Sequence, residues 1–231
     1  MQETRLETLA VALDTPDWRT FQELCATFGP RAGVLKVGLE AFTRWGPPAV
    51  TEAKQHGARI FLDLKLHDIP NTVAGAVDAA AALGVDYLTV HAAGGPAMLR
   101  AAAKAADGRL QLLAITLLTH LDVATLEQLD LPGDGAQRAT RWATLARDAG
   151  CHGAVCSPHE VGALRRALPS PFVLVTPGIR LGAEVAGDDQ ARVAGPREAL
   201  AAGSDLLVVG RPLTRAADRG AALERWAAAG C

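Results

Sequence analysis

The chain predicts a (β/α)8 barrel, or TIM barrel, and three features of the sequence indicate it. Eight short runs rich in valine, leucine and isoleucine recur at nearly regular intervals, as in strands of a parallel sheet that are buried on both faces. Segments with helical periodicity lie between these runs. Glycine often follows such a segment, where it can end a helix before the next strand. Alternating strands and helices form right-handed βαβ units, and eight units close into a barrel.

The predicted strands are the eight apolar runs in chain order. Each is nearly continuous in apolar residues and only a few residues long, which favours a buried strand. Their bounds are 9–14, 33–38, 58–65, 85–91, 110–116, 151–157, 171–177 and 204–210.

The predicted helices alternate apolar stripes with Arg, Glu, Lys and Gln. Pro70 suits the first turn of the helix after the third strand. A doubly wound open sheet is the alternative architecture, but it requires a G-x-G-x-x-G turn after an early strand, and none follows strand one or two. The other helical segments are 17–28, 95–106, 136–149, 158–168, 196–202 and 212–228.

Length and composition favour one globular domain over residues 1–231. The chain is 49% hydrophobic with a formal net charge of −2, which allows a sizeable core. The near-neutral charge gives no electrostatic footprint for nucleic acid or an anionic membrane. No apolar run reaches the ~18 residues of a membrane span, and the first fourteen residues do not resemble a signal peptide. We expect a cytoplasmic protein.

The cysteines and histidines predict no metal centre. The four cysteines form no C-x-x-C pair, and Cys151 and Cys156 lie in the predicted sixth strand, so we expect reduced core residues. The six histidines are scattered, with no H-E-x-x-H motif. We expect His67 to orient a loop, and His91 at the end of strand four stays open between core packing and the site.

Ionisable side chains collect at the carboxyl ends of the predicted strands, the face on which barrel active sites lie. Asp14 ends strand one, and Lys36 lies near the end of strand two. Asp63 and Lys65 are two residues apart in strand three and therefore point to one side. Lys36 can reach the other side of Asp63, which predicts an alternating Lys–Asp–Lys array that Asp68 extends. A structural ion pair is the alternative, but the collection of charges at one rim favours a site.

Two later segments predict a phosphate site, since barrels often bind phosphate in the loops after strands seven and eight. The loop 176–193 contains glycines together with Arg180 and Gln190. After strand eight, Gly210 allows close backbone approach, and Arg211 supplies a fork of donors. A tight turn with a solvated arginine is the alternative interpretation.

The string DLKLHDIPNT, at the third strand and the loop after it, carries a specific resemblance. The chain resembles the bacterial form of the orotidine 5′-phosphate decarboxylases, which complete de novo UMP synthesis, over nearly its whole length. D-x-K-x-x-D alone is only moderately specific because related sugar-phosphate lyases share it, whereas the full string with TPGIR and GDDQ is highly specific. The similar segments are VALD (11–14), LKVGLE (35–40), FLDLKLHDIPNTV (61–73), VHAAGG (90–95), VTPGIR (175–180), GDDQARV (187–193) and VVGRP (208–212).

The resemblance implies a decarboxylation carried out by charged side chains. In the family, the lysine matching Lys65 protonates C6 of the pyrimidine as CO2 leaves. The carboxylates matching Asp63 and Asp68 flank the substrate carboxylate, and the lysine matching Lys36 completes the array and touches the ribose. The family needs no cofactor and no metal.

The resemblance also implies the binding residues. Those matching Asp14 and Thr72 hold ribose hydroxyls, the one matching Thr119 contacts the pyrimidine, and the one matching Pro177 lines the base pocket. The phosphate is held by the residues matching Gln190, Gly210 and Arg211, with Arg180 nearby.

A homodimer with shared active sites is a further implication of the resemblance. In the family, residues matching Asp68, Ile69 and Thr72 reach into the site of the neighbouring subunit. We therefore expect a homodimer in which each active site contains residues from both chains.

Two stretches depart from the family pattern, and both flank the charged array. Thr119-His120 stands where Thr-Ser is common, and 213–220 lacks the Ser and Asp-Pro that usually follow GRP.

Three other functions are compatible with parts of the pattern: a magnesium-dependent sugar-phosphate decarboxylase or lyase on the same fold, a Schiff-base aldolase that uses Lys65, and a phosphate-binding barrel without catalysis. The last would have a broken Lys/Asp array, whereas here the array is intact.

Overall fold

Eight parallel strands close into a barrel in sequence order, and the last strand pairs with the first. The computed structural model describes residues 5–131, 133–182 and 193–231. The closed parallel sheet confirms the predicted (β/α)8 barrel. The strands are β1 (Leu6–Ala12), β2 (Ala32–Gly38), β3 (Arg59–Leu66), β4 (Tyr87–His91), β5 (Gln111–Ile115), β6 (Gly153–Val155), β7 (Val173–Thr176) and β8 (Leu206–Val209).

Helices follow every strand, so each crossover carries at least one. Aspartates cap the first turns of four of them by accepting backbone N–H groups, which otherwise lack partners at a helix start. Within the described ranges, no helix is long and apolar enough to cross a bilayer. The helices are α1 (Trp18–Phe28), α2 (Leu39–Trp45), α3 (Pro47–Lys54), α4 (Pro70–Ala82), α5 (Gly95–Ala106), α6 (Val123–Gln128), α7 (Gly135–Asp148), α8 (Pro158–Ala167), α9 (Pro196–Ala201), α10 (Arg211–Thr214) and α11 (Arg219–Ala228).

The single helix predicted over 212–228 is wrong, because two helices stand there. The first, α10, ends at Thr214, and α11 begins at Arg219. The side chain of Asp218 accepts the backbone N–H of Ala221 at 2.9 Å. An aspartate that caps a new first turn competes with a continuous helix, and apolar periodicity alone does not show this.

The predicted sixth strand, 151–157, is too long, and its two cysteines lie outside β6. The N–H of Cys151 donates to the carbonyl of Ala146 at 2.9 Å, which ties it to the end of α7. All four cysteines are free, and Cys151 and Cys156 are buried, as predicted. Burial raises the pKa of the Cys151 thiol to about 12, so it behaves as a small core side chain.

Apolar side chains fill the barrel interior and form a floor beneath its carboxyl-end rim. They form one buried cluster: Ala10, Val34, Phe61, Tyr87, Leu113, Val175 and Leu206. Since side chains alternate along a strand, the next inward positions lie two residues further on. On the first four strands those positions hold Ala12, Lys36, Asp63 and Thr89. A polar layer therefore stands directly on the apolar floor, at the rim where barrel sites form.

Candidate active site

A cavity of about 570 Å³ opens at the carboxyl-end rim of the barrel. Five residues predicted from the sequence line it: Asp14, Pro177, Arg180, Gly210 and Arg211. They come from the loops after β1, β7 and β8, which are neighbours around the barrel. The cavity therefore has a carboxylate on one side and guanidinium groups on another, which suits a polar, anionic ligand.

Asp63 joins two lysines beside this cavity. The Nζ of Lys65 donates to both carboxylate oxygens of Asp63, each at 2.9 Å. The Nζ of Lys36 lies 3.4 Å from Oδ2 of Asp63 and 3.9 Å from Oδ1 of Asp14. The structure thus brings together the Lys–Asp–Lys array, and Asp14 extends it on the cavity side.

The neighbouring charges favour the ionised forms of Lys36 and Asp63 in spite of burial. Burial by itself lowers the pKa of Lys36, but the charges of Asp63 and Asp14 outweigh it and raise that pKa above its usual value. Burial likewise acts to raise the pKa of Asp63. The charges of Lys36 and Lys65, with hydrogen bonds from Lys65 and Thr89, reverse this and lower the pKa below its usual value.

Gly38 gives the array the space it needs at the end of β2. A Cβ at this position would lie 2.7 Å from Oδ1 of Asp14 and 3.0 Å from Nζ of Lys36. Both distances are shorter than ordinary van der Waals contact. Glycine therefore lets the lysine and the carboxylate approach each other across the strand end.

The described residues just after β3 are exposed and make no hydrogen bond or ion pair with the array of their own chain. The side chain of Asp68 accepts the backbone N–H of Ile69 at 2.6 Å and forms no ion pair with any described residue. Ile69 is 67% exposed, and Thr72 is also exposed, in the first turn of α4. The structure therefore does not bring Asp68 and Thr72 to the site of this chain.

Backbone hydrogen bonds join Arg180 to Ala194, so residues 178–180 and 194 lie side by side next to the cavity. The N–H of Arg180 donates to the carbonyl of Ala194 at 3.0 Å, and the N–H of Ala194 donates to Gly178 at 3.3 Å. Arg180 is buried, and its guanidinium donates to the carbonyl of Ile179. Gln190, the other predicted residue of this loop, lies outside the described residues.

Two predicted positions at β4 and β5 lie off the cavity. Thr119 is half-buried in the segment after β5 and is not among the residues that line the cavity. The ring of His91 stacks on the ring of His67, with centroids 5.1 Å apart. Burial, then the nearby charges of His67 and Lys65, lower the pKa of His91, so its ring is neutral near pH 7. No group of three or more potential metal ligands occurs among the described residues.

The family of the chain follows from its sequence as a whole. A model described as orotidine 5′-phosphate decarboxylase / HUMPS family matches residues 7–226. The chain belongs to this family.

Curated relatives and solved structures agree with that assignment. Proteins named orotidine 5′-phosphate decarboxylase from Anaeromyxobacter sp. (strain K) and Moorella thermoacetica are 49% and 48% identical to this chain. These matches cover 96% and 95% of this chain, and 97% and 90% of the relatives. The crystal structure of the Lactobacillus acidophilus orotidine 5′-phosphate decarboxylase is similar, with a TM-score of 0.83 and 34% identity. That match covers 96% of this chain and 97% of the other.

Four residues at the site were missed by sequence reasoning. Thr89, in β4, bonds to both Asp63 and Lys65, and its only signal is a polar residue inside the apolar run YLTVH. Gly38 acts by having no side chain, which a sequence does not show. Glu40 and Arg215 line the cavity, and they lie just beyond the ends of β2 and α10. Only the closed barrel brings those two ends together.

Proposed function

We propose that this protein decarboxylates orotidine 5′-phosphate to UMP and CO2, a step of de novo pyrimidine biosynthesis. The observation that carries the proposal is the ammonium of Lys65, held at 2.9 Å by both oxygens of Asp63. Membership of the family and the arginines in the adjacent cavity support it. The relatives named above carry this activity in their names.

Lys65 has the central chemical role. When the bond between C6 and the carboxyl carbon breaks, CO2 leaves and the electron pair stays on C6 of the pyrimidine. No neighbouring carbonyl can accept this pair, so a fixed positive charge has to stabilise it. The ammonium of Lys65 supplies the charge and then donates a proton to C6. The resulting amine regains its proton from water. In this proposal the reaction uses no cofactor.

Asp63 and Lys36 prepare Lys65 for this step. The carboxylate of Asp63 fixes the position of the Lys65 side chain through two hydrogen bonds of 2.9 Å. Lys36 balances the charge of Asp63 from the opposite side at 3.4 Å. In the proposed complex the carboxylate of Asp63 would also repel the carboxylate of the substrate, and this repulsion would be relieved as CO2 leaves.

The phosphate of the substrate would occupy the arginine side of the cavity. Arg211 and the backbone of Gly210 begin α10 there, and Arg180 stands on the neighbouring loop. We assign Gln190 to the same group. Binding energy gained at the phosphate, far from the reacting carbon, is available to stabilise the transition state. We also propose that Asp14 holds a ribose hydroxyl, that Pro177 lines the base pocket and that Thr119, although outside the cavity lining, contacts the pyrimidine.

We also propose a homodimer in which each chain completes the site of the other. The exposure of Asp68, Ile69 and Thr72 supports this, because all three lie at the surface of one segment next to the rim, where a second chain can reach them. In the dimer, Asp68 would flank the substrate carboxylate and Thr72 would hold a ribose hydroxyl of the neighbouring site.

The ultraviolet absorbance of orotidine 5′-phosphate, incubated with purified protein and excess EDTA, tests the reaction. We expect the orotate chromophore to decay and UMP to form at the same rate. If the absorbance does not change while phosphate ligands still bind, the proposal is wrong. Magnesium with keto-sugar phosphates would then test the sugar-phosphate lyase alternative.

A further inference from the structure

We propose that Thr89 is a positioning residue, whose hydroxyl holds Asp63 and Lys65 in the geometry that the reaction needs. The inference deepens the function proposed above and rests on it. Thr89 lies at the inward position of β4, one layer above Tyr87 of the apolar floor, and it is 0% exposed. Because Thr89 is fully buried, it would not touch the substrate. It acts through the two residues to which it is hydrogen-bonded, Asp63 and Lys65.

The two hydrogen bonds of Thr89 fix the direction in which its hydroxyl group donates its proton. Its Oγ1 accepts the backbone N–H of Lys65 at 2.9 Å and donates to Oδ1 of Asp63, also at 2.9 Å. A hydroxyl has one proton to donate, and here that proton points at the carboxylate. The arrangement therefore favours the ionised form of Asp63. A carboxyl that carried its own proton on Oδ1 would lose this bond.

The backbone conformation of Lys65 shows why its N–H group needs a hydrogen-bond acceptor outside the strand ladder. Its φ angle is +52°, in the left-handed region that residues other than glycine seldom adopt. On either side of it, Leu62 pairs with Leu88, and Leu66 pairs with Val90. Three residues of β3 therefore span the length that Thr89 alone spans on β4.

This bulge in β3 turns the side chain of Lys65 back toward Asp63. Bulges are frequent next to active sites, where they change the direction of a side chain. The bulge also separates the N–H of Lys65 from the regular ladder between β3 and β4, and Oγ1 of Thr89 replaces the missing acceptor. The hydroxyl thus stabilises both the backbone that directs Lys65 and the carboxylate that receives it.

The charge state of Asp63 agrees with this geometry. Burial acts to raise the pKa of Asp63, and the hydrogen bond from Thr89 is among the contacts that reverse the shift, after the charges of Lys36 and Lys65. Without the hydroxyl, we expect the pKa of Asp63 to rise.

The test compares three variants of the full-length protein. Thr89→Val keeps the shape but removes the hydroxyl, and Thr89→Ser restores it. Thr116→Val is the matched control: Thr116 is also 0% exposed, but its hydroxyl donates to the backbone carbonyl of Val155 rather than to the array. If Thr89→Val does not fold, Thr89→Cys replaces it, since a thiol is a much weaker donor of similar size.

We expect Thr89→Val to lower kcat about 10²-fold while KM changes less than about threefold, because a misplaced reacting group costs rate rather than binding. Thr89→Ser should recover most of the rate, and Thr116→Val should stay near the wild-type kcat. The acid limb of the pH profile of kcat should move to higher pH in Thr89→Val, in line with a raised pKa of Asp63. A wild-type kcat together with a wild-type acid limb in Thr89→Val would overturn the inference.

A second measurement needs no turnover and so separates this inference from the proposed reaction. The pKa of the Asp63 carboxyl is read from carbon-13 NMR titration of the wild type and of Thr89→Val. We expect a higher value in the variant. An unchanged value overturns the role of Thr89, whatever substrate the enzyme uses. If the value rises but the wild type leaves orotidine 5′-phosphate intact, the proposed function fails while the role of Thr89 toward Asp63 stands.

Discussion

At the scale of single residues, Lys65 is the group on which the proposed chemistry depends. We expect Lys65→Ala to lower kcat by more than about 1,000-fold, because both the fixed charge and the proton donor are lost. The fold should persist, since the side chain is half-buried and reaches the rim. The matched control is Lys54→Ala on α3, whose exposed lysine donates to the carbonyl of Leu83. Appreciable turnover by Lys65→Ala in the absorbance assay would contradict the role of proton donor.

Asp63 links the site to the pH dependence of stability. Its pKa is lower in the folded protein than in the unfolded chain, so its ion pairs stabilise the fold above about pH 4 and lose that effect as the pH falls through the folded-state pKa. Asp63→Asn should lower the free energy of unfolding at pH 7 by about 3–5 kcal/mol, since it leaves Lys36 buried without its nearest partner.

Urea unfolding of the wild type and Asp63→Asn between pH 7 and pH 3 measures this effect. The difference in the free energy of unfolding between the two proteins should become smaller as the pH falls toward 3. The raised pKa of Lys36 works in the opposite direction: its contribution is present below about pH 10.4 and is lost as the pH rises through the folded-state value. A difference that stayed constant from pH 7 to pH 3 would show that Asp63 does not carry the charge assigned to it.

Arg211 should act on the phosphate alone. Arg211→Ala is expected to lower kcat/KM for orotidine 5′-phosphate roughly 10- to 100-fold, the effect of losing a hydrogen bond to a charged group. Orotidine, which lacks the phosphate, should be turned over equally well by the variant and the wild type. Arg225→Ala, at an exposed position on α11, is the control. If Arg211→Ala lowered kcat/KM equally for both substrates, Arg211 would not act on the phosphate.

At the scale of elements, the end of β2 controls how closely the charges approach. Gly38→Ala would place a Cβ 2.7 Å from Asp14 and 3.0 Å from Lys36, so the array would have to spread. We expect a loss of kcat/KM and a less stable protein. Gly38 has a φ of −93°, so the cost is steric rather than conformational.

Gly162→Ala in the interior of α8 is the control for Gly38→Ala. Its new Cβ would meet only the guanidinium of Arg166, at 3.6 Å, and helix propensity predicts about 1 kcal/mol of added stability. Kinetics and thermal unfolding of the two variants check the prediction. If Gly38→Ala retained full activity, the close approach of Asp14 and Lys36 would not matter for the reaction.

At the scale of the whole molecule, the proposed dimer makes a complementation experiment possible. Asp63→Ala and Asp68→Ala should each be nearly inactive alone. After subunit exchange, a mixed dimer contains one site with both substitutions and one site with neither, so about half of the wild-type rate per mixed dimer should return. Sedimentation verifies the dimer, and an affinity tag on one of the two variants verifies the exchange. No recovery after verified exchange would count against Asp68 acting across the interface.

Much of the site could be predicted because it depends on alternation within strands. Asp63 and Lys36 lie at inward positions of adjacent parallel strands, so the common carboxyl end brings them together. Lys65 was predicted beside Asp63 from alternation, but the bulge in β3 is what brings it there. The direction of Asp68 was harder to foresee. Asp68 is exposed in the loop after β3, and loop geometry is not periodic. The break between α10 and α11 was missed for a similar reason, since one capping aspartate overrides a continuous apolar pattern.

The sequence by itself determined the barrel and placed Lys36 and Asp63 at its carboxyl-end rim. These follow from the order of strands and helices and from local side-chain periodicity. Only the tertiary structure decided the bulge at Lys65, the hydroxyl of Thr89 that stabilises it and the space that Gly38 leaves for Lys36. Each of these depends on distances of about 3 Å between different strands, and such distances are set when the barrel closes rather than by any one segment.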